Sequence, residues 1–147
     1  MANIQLTLTQ EQATAVCEAL DAYNRLCMGQ IEEVANLVRY GVIPVAQHAW
    51  DKARIQPTAE VCNEIEDHTH RIKALLGLSR NAHFGIGSPH LAMNGRRSYE
   101  VQKVLSKALA ELRDPNPEFR SVDYDGLGPR YTSDPAPTAV AIDEILR

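Results

Sequence analysis

The chain carries no surplus of positive charge. Its 15 Lys and Arg stand against 19 Asp and Glu, a net charge of −4 over 147 residues. It therefore has no overall field to hold a nucleic-acid backbone, and only a local basic pocket is compatible with this balance. No apolar run reaches the roughly 18 residues needed to span a bilayer. The opening Met1-Ala2-Asn3-Ile4-Gln5 lacks the charged and apolar regions of a signal peptide. Both absences lead us to expect a cytoplasmic protein. Cysteine is scarce: Cys17, Cys27 and Cys62 form no C-x-x-C pair, which supports neither zinc nor a thioredoxin-like site. Free buried thiols in a reducing compartment are expected. There is no P-loop, no G-x-S-x-G, no H-E-x-x-H, no internal repeat and no low-complexity segment. What remains is a chain of ordinary apolar content and one-domain length, so 1–147 is expected to be a single domain with a strand-rich tail over 118–147.

The order of local signals predicts mostly helix. Ile4 to Thr9 alternates apolar and polar, as a half-buried strand does. Thr9 and Gln12 form a capping box. Behind it Val16, Leu20, Tyr23, Cys27, Ile31, Val34 and Val38 recur at three and four, up to a stop at Gly41. One helix of about 30 residues follows, about 45 Å long and longer than a compact monomer is wide. Part of it is then expected to meet another chain, with Gly29 marking a close approach or a kink. Pro44 suits the first turn of a short helix through Ala53. A second long helix runs from Thr58 to Leu76, its buried stripe being Val61, Ile65, His68, Ile72 and Leu75. His70 turns away from His68, so the two cannot chelate one metal. A third helix is expected from Arg96 to Leu112, ended by Asp114-Pro115-Asn116-Pro117. Phe119 to Asp125 and Thr138 to Ile142 read as strands.

The chemistry concentrates in Asn81 to Tyr99. A loop bearing Gly85, Gly87 and Gly95 runs into a helix that starts with Arg96 and Arg97. Positive side chains oppose a helix N-terminus, at a cost of roughly 0.3–1 kcal/mol each at an exposed site. Amide donors, a glycine loop and arginine forks together suit an anion. Phe84 and His83 can stack on a base beside it. Gly85-Ile86-Gly87 is half of a dinucleotide fingerprint and follows no strand, so a Rossmann reading is rejected. Glu32-Glu33 point apart on a helix and read as a solvated face. Asp123 and Asp125 would share a strand face and can accept from a ribose or pair with an arginine. No nucleophile–base pair is legible, so we expect a binding protein that is not an enzyme and needs no cofactor or metal.

Three segments then carry a resemblance: Ala22-Tyr23-Asn24-Arg25-Leu26-Cys27-Met28-Gly29-Gln30-Ile31-Glu32-Glu33, Asn81-Ala82-His83-Phe84-Gly85-Ile86, and Arg97-Ser98-Tyr99-Glu100-Val101-Gln102-Lys103-Val104-Leu105. In this order they resemble the small phage-encoded Thoeris anti-defence proteins of the first type. The resemblance spans about Leu6 to Leu109 and fades beyond Asp114. It implies a sponge that sequesters, without cleaving it, the cyclic ADP-ribose-type signal of bacterial Thoeris immunity, in the cytoplasm of an infected host. The family fold implies an α+β protein: a long antiparallel helix pair plus a third helix, with a small antiparallel sheet, here from the N-terminal strand and the C-terminal tail. It implies a homodimer or homohexamer. The implied pocket takes Asn81, Phe84, Gly85 and Ile86 from the loop and Arg96 or Arg97 from the third helix. Arg25, Met28 and Gln30 would form its other wall; Asp123, a ribose partner by its residue type alone, lies beyond the resemblance. Cyclic oligonucleotides at a second site are also implied, for which Thr7 and Thr9 can offer hydroxyls, unless Thr9 serves only as a cap. The competing expectation is a structural or regulatory oligomeric interaction protein with no nucleotide ligand, its long helix serving assembly alone. A hydrolase using Asp123 and Asp125 has the least support.

Overall fold

Residues 3–142 are described by the computed structural model. The fold is α+β, with four α-helices and a two-stranded antiparallel sheet among these residues. Thr9 opens α1 (Gln10–Cys27) by a reciprocal cap. The Gln12 amide donates to Thr9 Oγ1 at 3.2 Å and the Thr9 amide donates to Gln12 Oε1 at 3.0 Å. The continuous 30-residue helix does not form. α1 ends at Cys27, the chain turns at Gly29 with φ +81°, and a separate α2 covers Glu33–Arg39. The Gly29 amide donates to Leu26 O and the Gln30 amide to Arg25 O, closing the end of α1. Glycine is required twice over here. The φ is left-handed, and a Cβ would stand 2.7 Å from Leu78 Cδ1. An apolar period cannot register one reversed φ, so the stripe reads straight through the break. With the long helix goes the argument that it must reach another chain.

The chain forms two compact units, one of residues up to Asn24 with those from Ile86 onward, the other Arg25–Gly85. In the first unit α1 lies against α4 (Met93–Arg113), the longest helix, which begins three residues earlier than expected. The Cys17 thiol donates to Gln102 O at 4.0 Å, and the Ser98 hydroxyl donates to Asn24 Oδ1. Contacts recede along α4 as α1 advances, so these two helices run antiparallel. Among the described residues of this unit, Ala13, Leu91, Ala110 and Tyr124 are the buried apolar ones. Among the described residues the tail makes no strand. Pro115 and Pro117 break α4, and residues 122–125 form a 3₁₀ turn capped by Ser121, whose Oγ accepts from the Asp123 amide at 3.3 Å. The Tyr124 hydroxyl donates to Ala110 O and Asp114 O, fixing this turn on α4. Thr138 to Ile142 is irregular, in keeping with the missing amide donors of Pro135 and Pro137. The Ile4–Thr9 strand also fails: Ile4 and Leu6 are exposed and pair with no strand among the described residues. Alternation makes a strand only where a neighbour completes the ladder.

In the second unit the sheet stands where a short helix was expected. A 3₁₀ turn at Gln47–Ala49 leads into β1 (Trp50–Asp51), which pairs with β2 (Gln56–Pro57). Asp51 Oδ1 accepts from the Ala53 amide at 3.0 Å, and this Asx turn diverts the chain from the helix that Pro44 would allow. Thr58 caps α3 (Ala59–Leu75) through the Val61 amide, and Gly77 at φ +76° follows its end, so the helix forms within a residue of its expected bounds. The buried face of α3 is one residue away from the expected stripe. Cys62, Thr69 and Lys73 are buried, while Ile72 and Leu75 are exposed. Lys73 is fully buried, donating to Glu32 Oε1 at 3.2 Å, Glu32 Oε2 at 3.0 Å and Arg80 O at 2.8 Å. Burial pushes the Glu32 carboxyl up, but backbone hydrogen bonding and the Lys73 ammonium hold it below the usual range. No helix among the described residues is long and apolar enough to cross a membrane.

Candidate functional site

The start of α4 combines an uncapped helix N-terminus with two arginines, Arg96 and Arg97. Ala92 supplies no side-chain cap, and the first turn holds no acidic residue. The first amides of a helix lack intrahelical acceptors, so this end presents donors and the positive pole of the dipole. Met93 and Asn94 are exposed, and Gly95 is buried behind them. The loop before the helix is held by a turn in which the Leu91 amide donates to Ser88 O and buried Leu91 anchors the chain.

The two arginines at this end differ. Arg97 is exposed and already paired: Nε donates to Asp134 Oδ2 at 2.6 Å, Nη2 to Asp134 Oδ1 at 3.4 Å and Nη1 to Asn94 Oδ1 at 3.2 Å. The Arg97 guanidinium holds the Asp134 carboxyl below the usual range. Arg96 is half-buried. Its Nη2 donates to Ser88 O at 2.7 Å, and its Nε is buried with no acceptor among the described residues. Among those residues Arg96 meets no carboxylate, so it is the uncompensated charge of the pair. The sequence places both arginines in the first turn, equally free. The earlier start of α4 puts them one turn in, and a residue 37 positions away takes one of them. Asp134 and Asn94 were not legible as partners, because nothing local in the sequence ties an aspartate in a proline-rich tail to this helix.

The remaining residues of the implied pocket fall in two places. Ile86 belongs with Arg96 and Arg97 in the first unit, and Arg25, Met28, Gln30, Asn81, Phe84 and Gly85 belong to the second. There the turn after α1 gathers several of them. The Phe84 amide donates to Met28 O at 2.8 Å, and a Cβ on Gly29 would lie 3.8 Å from Phe84 Cδ2, so the ring sits over the glycine. Arg25 Nη1 donates to Gln30 Oε1 at 3.5 Å, and its Nε lies 3.9 Å from Glu33 Oε2. Phe84 is half-buried, while Asn81 and Gly85 are exposed on the loop. His83 Nδ1 lies 3.1 Å from Phe84 O.

Asp123 stands apart, on the 3₁₀ turn and not on a strand. Its Oδ1 accepts from Ser106 at 3.0 Å and its Oδ2 from Ser121 at 3.2 Å. Ser106 lies ten residues, or about 15 Å, along α4 from Arg96. Thr9 is committed to its cap, and Thr7 is exposed. The second unit also carries a shallow groove of about 430 Å³, lined by Val34, Val61, Glu64, Ile65, His68, Thr69 and Ile72. Most of the stripe expected to be core therefore lines an open groove.

The most buried carboxylate is Glu100, one turn past Arg96 on the same helix. Its Oε1 accepts from the Tyr131 amide at 2.8 Å and the Thr132 amide at 3.0 Å; its Oε2 accepts from Thr132 Oγ1 at 2.9 Å and pairs with Arg130 Nη2 at 2.9 Å. Burial would push this carboxyl up, but Arg130, the two amides and the Thr132 hydroxyl hold it at about 2. Tyr131 then packs edge-on against Tyr99, ring centroids 5.8 Å apart. This clasp brings the tail, and with it Asp134, to α4.

Comparison with family models, curated proteins and solved structures gives no match to this chain.

Proposed function

We propose that this protein binds a cyclic ADP-ribose-type nucleotide and holds it uncleaved, as the Thoeris anti-defence proteins it resembles do, and so withholds an immune signal from its effector. The observation that carries the reading is Arg96, a half-buried guanidinium at an uncapped helix start, with no carboxylate partner among the described residues and one donor buried without an acceptor. A phosphate supplies what is missing there: anionic oxygens for the guanidinium fork and for the first amides of α4. Arg97 reaches the same anion by exchanging Asp134 for it. Sequestration needs affinity and no transition-state complementarity, which suits a chain in which no nucleophile–base pair is legible.

The test is retention. Purified protein is mixed with cyclic ADP-ribose isomers, filtered, washed and heated. Intact nucleotide is expected in the heated fraction, and linear ADP-ribose there would mean an enzyme. Arg96→Ala and Arg97→Ala are each expected to weaken binding at least tenfold, since a charge-assisted bond is worth roughly 1.5–3 kcal/mol. Unchanged affinity in both would move the site.

The competing reading, an interaction protein without a nucleotide, draws on the open apolar stripe of α3, where Ile72 and Leu75 are exposed beside the groove. A thermal-shift screen separates the two. A rise of several degrees with one cyclic nucleotide favours sequestration, and none with any favours the interaction protein.

A further inference from the structure

In the second unit a single carboxylate faces three cationic or basic side chains. Arg39, the last residue of α2, donates from Nη2 to Glu66 Oε2 at 3.1 Å. The other oxygen, Oε1, lies 3.6 Å from His70 Nε2 and 3.8 Å from Arg80 Nη2. Both separations exceed hydrogen-bond range. Lys73, one turn beyond His70, does not relieve the imbalance, because Glu32 takes its charge and Arg80 O its third donor. The Arg80 backbone is thus pinned while its guanidinium, 64% exposed, makes no hydrogen bond among the described residues. Beneath the two arginines, His70 has both ring nitrogens buried with no hydrogen-bond partner there, and its side chain is only 16% exposed.

These facts point one way. Two guanidiniums on separate elements converge on one carboxylate that satisfies only the Arg39 side well. On the Oε1 side, the nitrogens of Arg80 and His70 each stop short of a hydrogen bond to that oxygen. An acceptor with more oxygens and more charge than a carboxylate would close them. We propose that Arg39, His70 and Arg80 form a binding site for a phosphomonoester, entered from solvent over Glu66. A tetrahedral dianion offers three oxygens in different directions, one toward each donor, and matches two forks better than a planar monoanion does. Glu66 is the resident competitor that keeps the arginines together while the site is empty. The site shares no residue with the one at the start of α4 and does not depend on the nucleotide reading.

The full chain is titrated with inorganic phosphate, ribose 5-phosphate, O-phosphoserine and acetate. The arginine Nε–H and His70 ring resonances are followed by NMR. Saturable shifts at Arg39, Arg80 and His70 are expected with the phosphates. Arg80→Ala and Arg39→Ala are each expected to weaken binding about tenfold. Glu66→Gln should tighten it several-fold, a sign that a purely structural ion pair does not give. Arg80 is exposed enough that its removal should leave the melting temperature unchanged. Should Arg39→Ala unfold, Arg39→Lys keeps the charge without the fork and is expected to weaken binding as well. Equal affinity for the three phosphates supports a site that reads the terminal phosphate alone, and a tenfold preference for one names its source. No saturable binding in either the native chain or Glu66→Gln overturns the proposal. Acetate binding as tightly as phosphate, or binding lost in Arg96→Ala but kept in Arg80→Ala, also overturns it.

Discussion

Glu100→Gln is the sharpest probe of how the tail is held. The native carboxylate is almost wholly buried and accepts from two backbone amides, one hydroxyl and one guanidinium. Its displacement from 4.5 to about 2 corresponds to about 3 kcal/mol of stability, at 1.36 kcal/mol per pKa unit. Glutamine fills the same volume and its one oxygen can keep the two amides that share Oε1, but its NH2 in place of Oε2 can accept from neither the Thr132 hydroxyl nor Arg130. We expect urea unfolding at pH 7 to show a loss of about 3 kcal/mol. The pH dependence tests the cause. The folded pKa lies below the unfolded one, so the native stabilisation is complete above pH 4.5 and is lost as pH falls through about 2. Glu100→Gln has no such term, and the gap between the two proteins should narrow across that window. Depressed carboxylates away from the clasp, such as Glu32, act in both proteins and cancel; Asp134 does not, because the Glu100 charge itself pushes its carboxyl up. A loss below about 1 kcal/mol at pH 7, or curves that stay parallel from pH 5 to 2, would refute the reasoning.

Two further outcomes are expected. Gly29→Ala should cost about 1–2 kcal/mol for its left-handed backbone, plus the displacement of Leu78. Gly41→Ala, at φ +76° with open space around it, should cost the backbone term alone, and equal losses in paired urea melts would remove the Leu78 contact from the account. Lys73→Met replaces a fully buried ammonium by an apolar chain and leaves Arg80 O without its donor, with an expected loss of about 2 kcal/mol by calorimetry; a neutral or stabilising result would show that the buried pair with Glu32 costs as much as it contributes.

What the sequence disclosed was local. The cap at Thr9 is written within four residues of where it acts and stands where expected, and the helix expected from Thr58 to Leu76 forms to within a residue at each end. Periodicity misled in two places for one reason. It registers that apolar residues recur, and not which neighbour they meet. It carried the first helix across Gly29, and it chose Val61, Ile65 and Ile72 as the core face of α3, where the structure buries Cys62, Thr69 and Lys73. A lysine is the last residue a hydropathy argument would bury, and it is buried because Glu32, 41 positions earlier, meets it. The candidate site divides the same way. Arg96 and Arg97 are visible as residues at a helix start, but their difference is set by Asp134 and Ser88 through the folded chain. The strands failed because a ladder needs a partner, and no feature of Ile4–Thr9 or Thr138–Ile142 names one.

The loop after α3 is tied at two points, Arg80 by its carbonyl to Lys73 and Phe84 by its amide to Met28. Only residues 81–83 lie between the ties, and the Ala82 amide is itself spent on Ser79 O. Freezing a free residue costs about 1–2 kcal/mol in backbone entropy. For this short span that cost is met when the chain folds and not when something docks on it. A molecule that stacks on Phe84 thus meets a surface already set, and its affinity is reduced by little beyond its own loss of freedom.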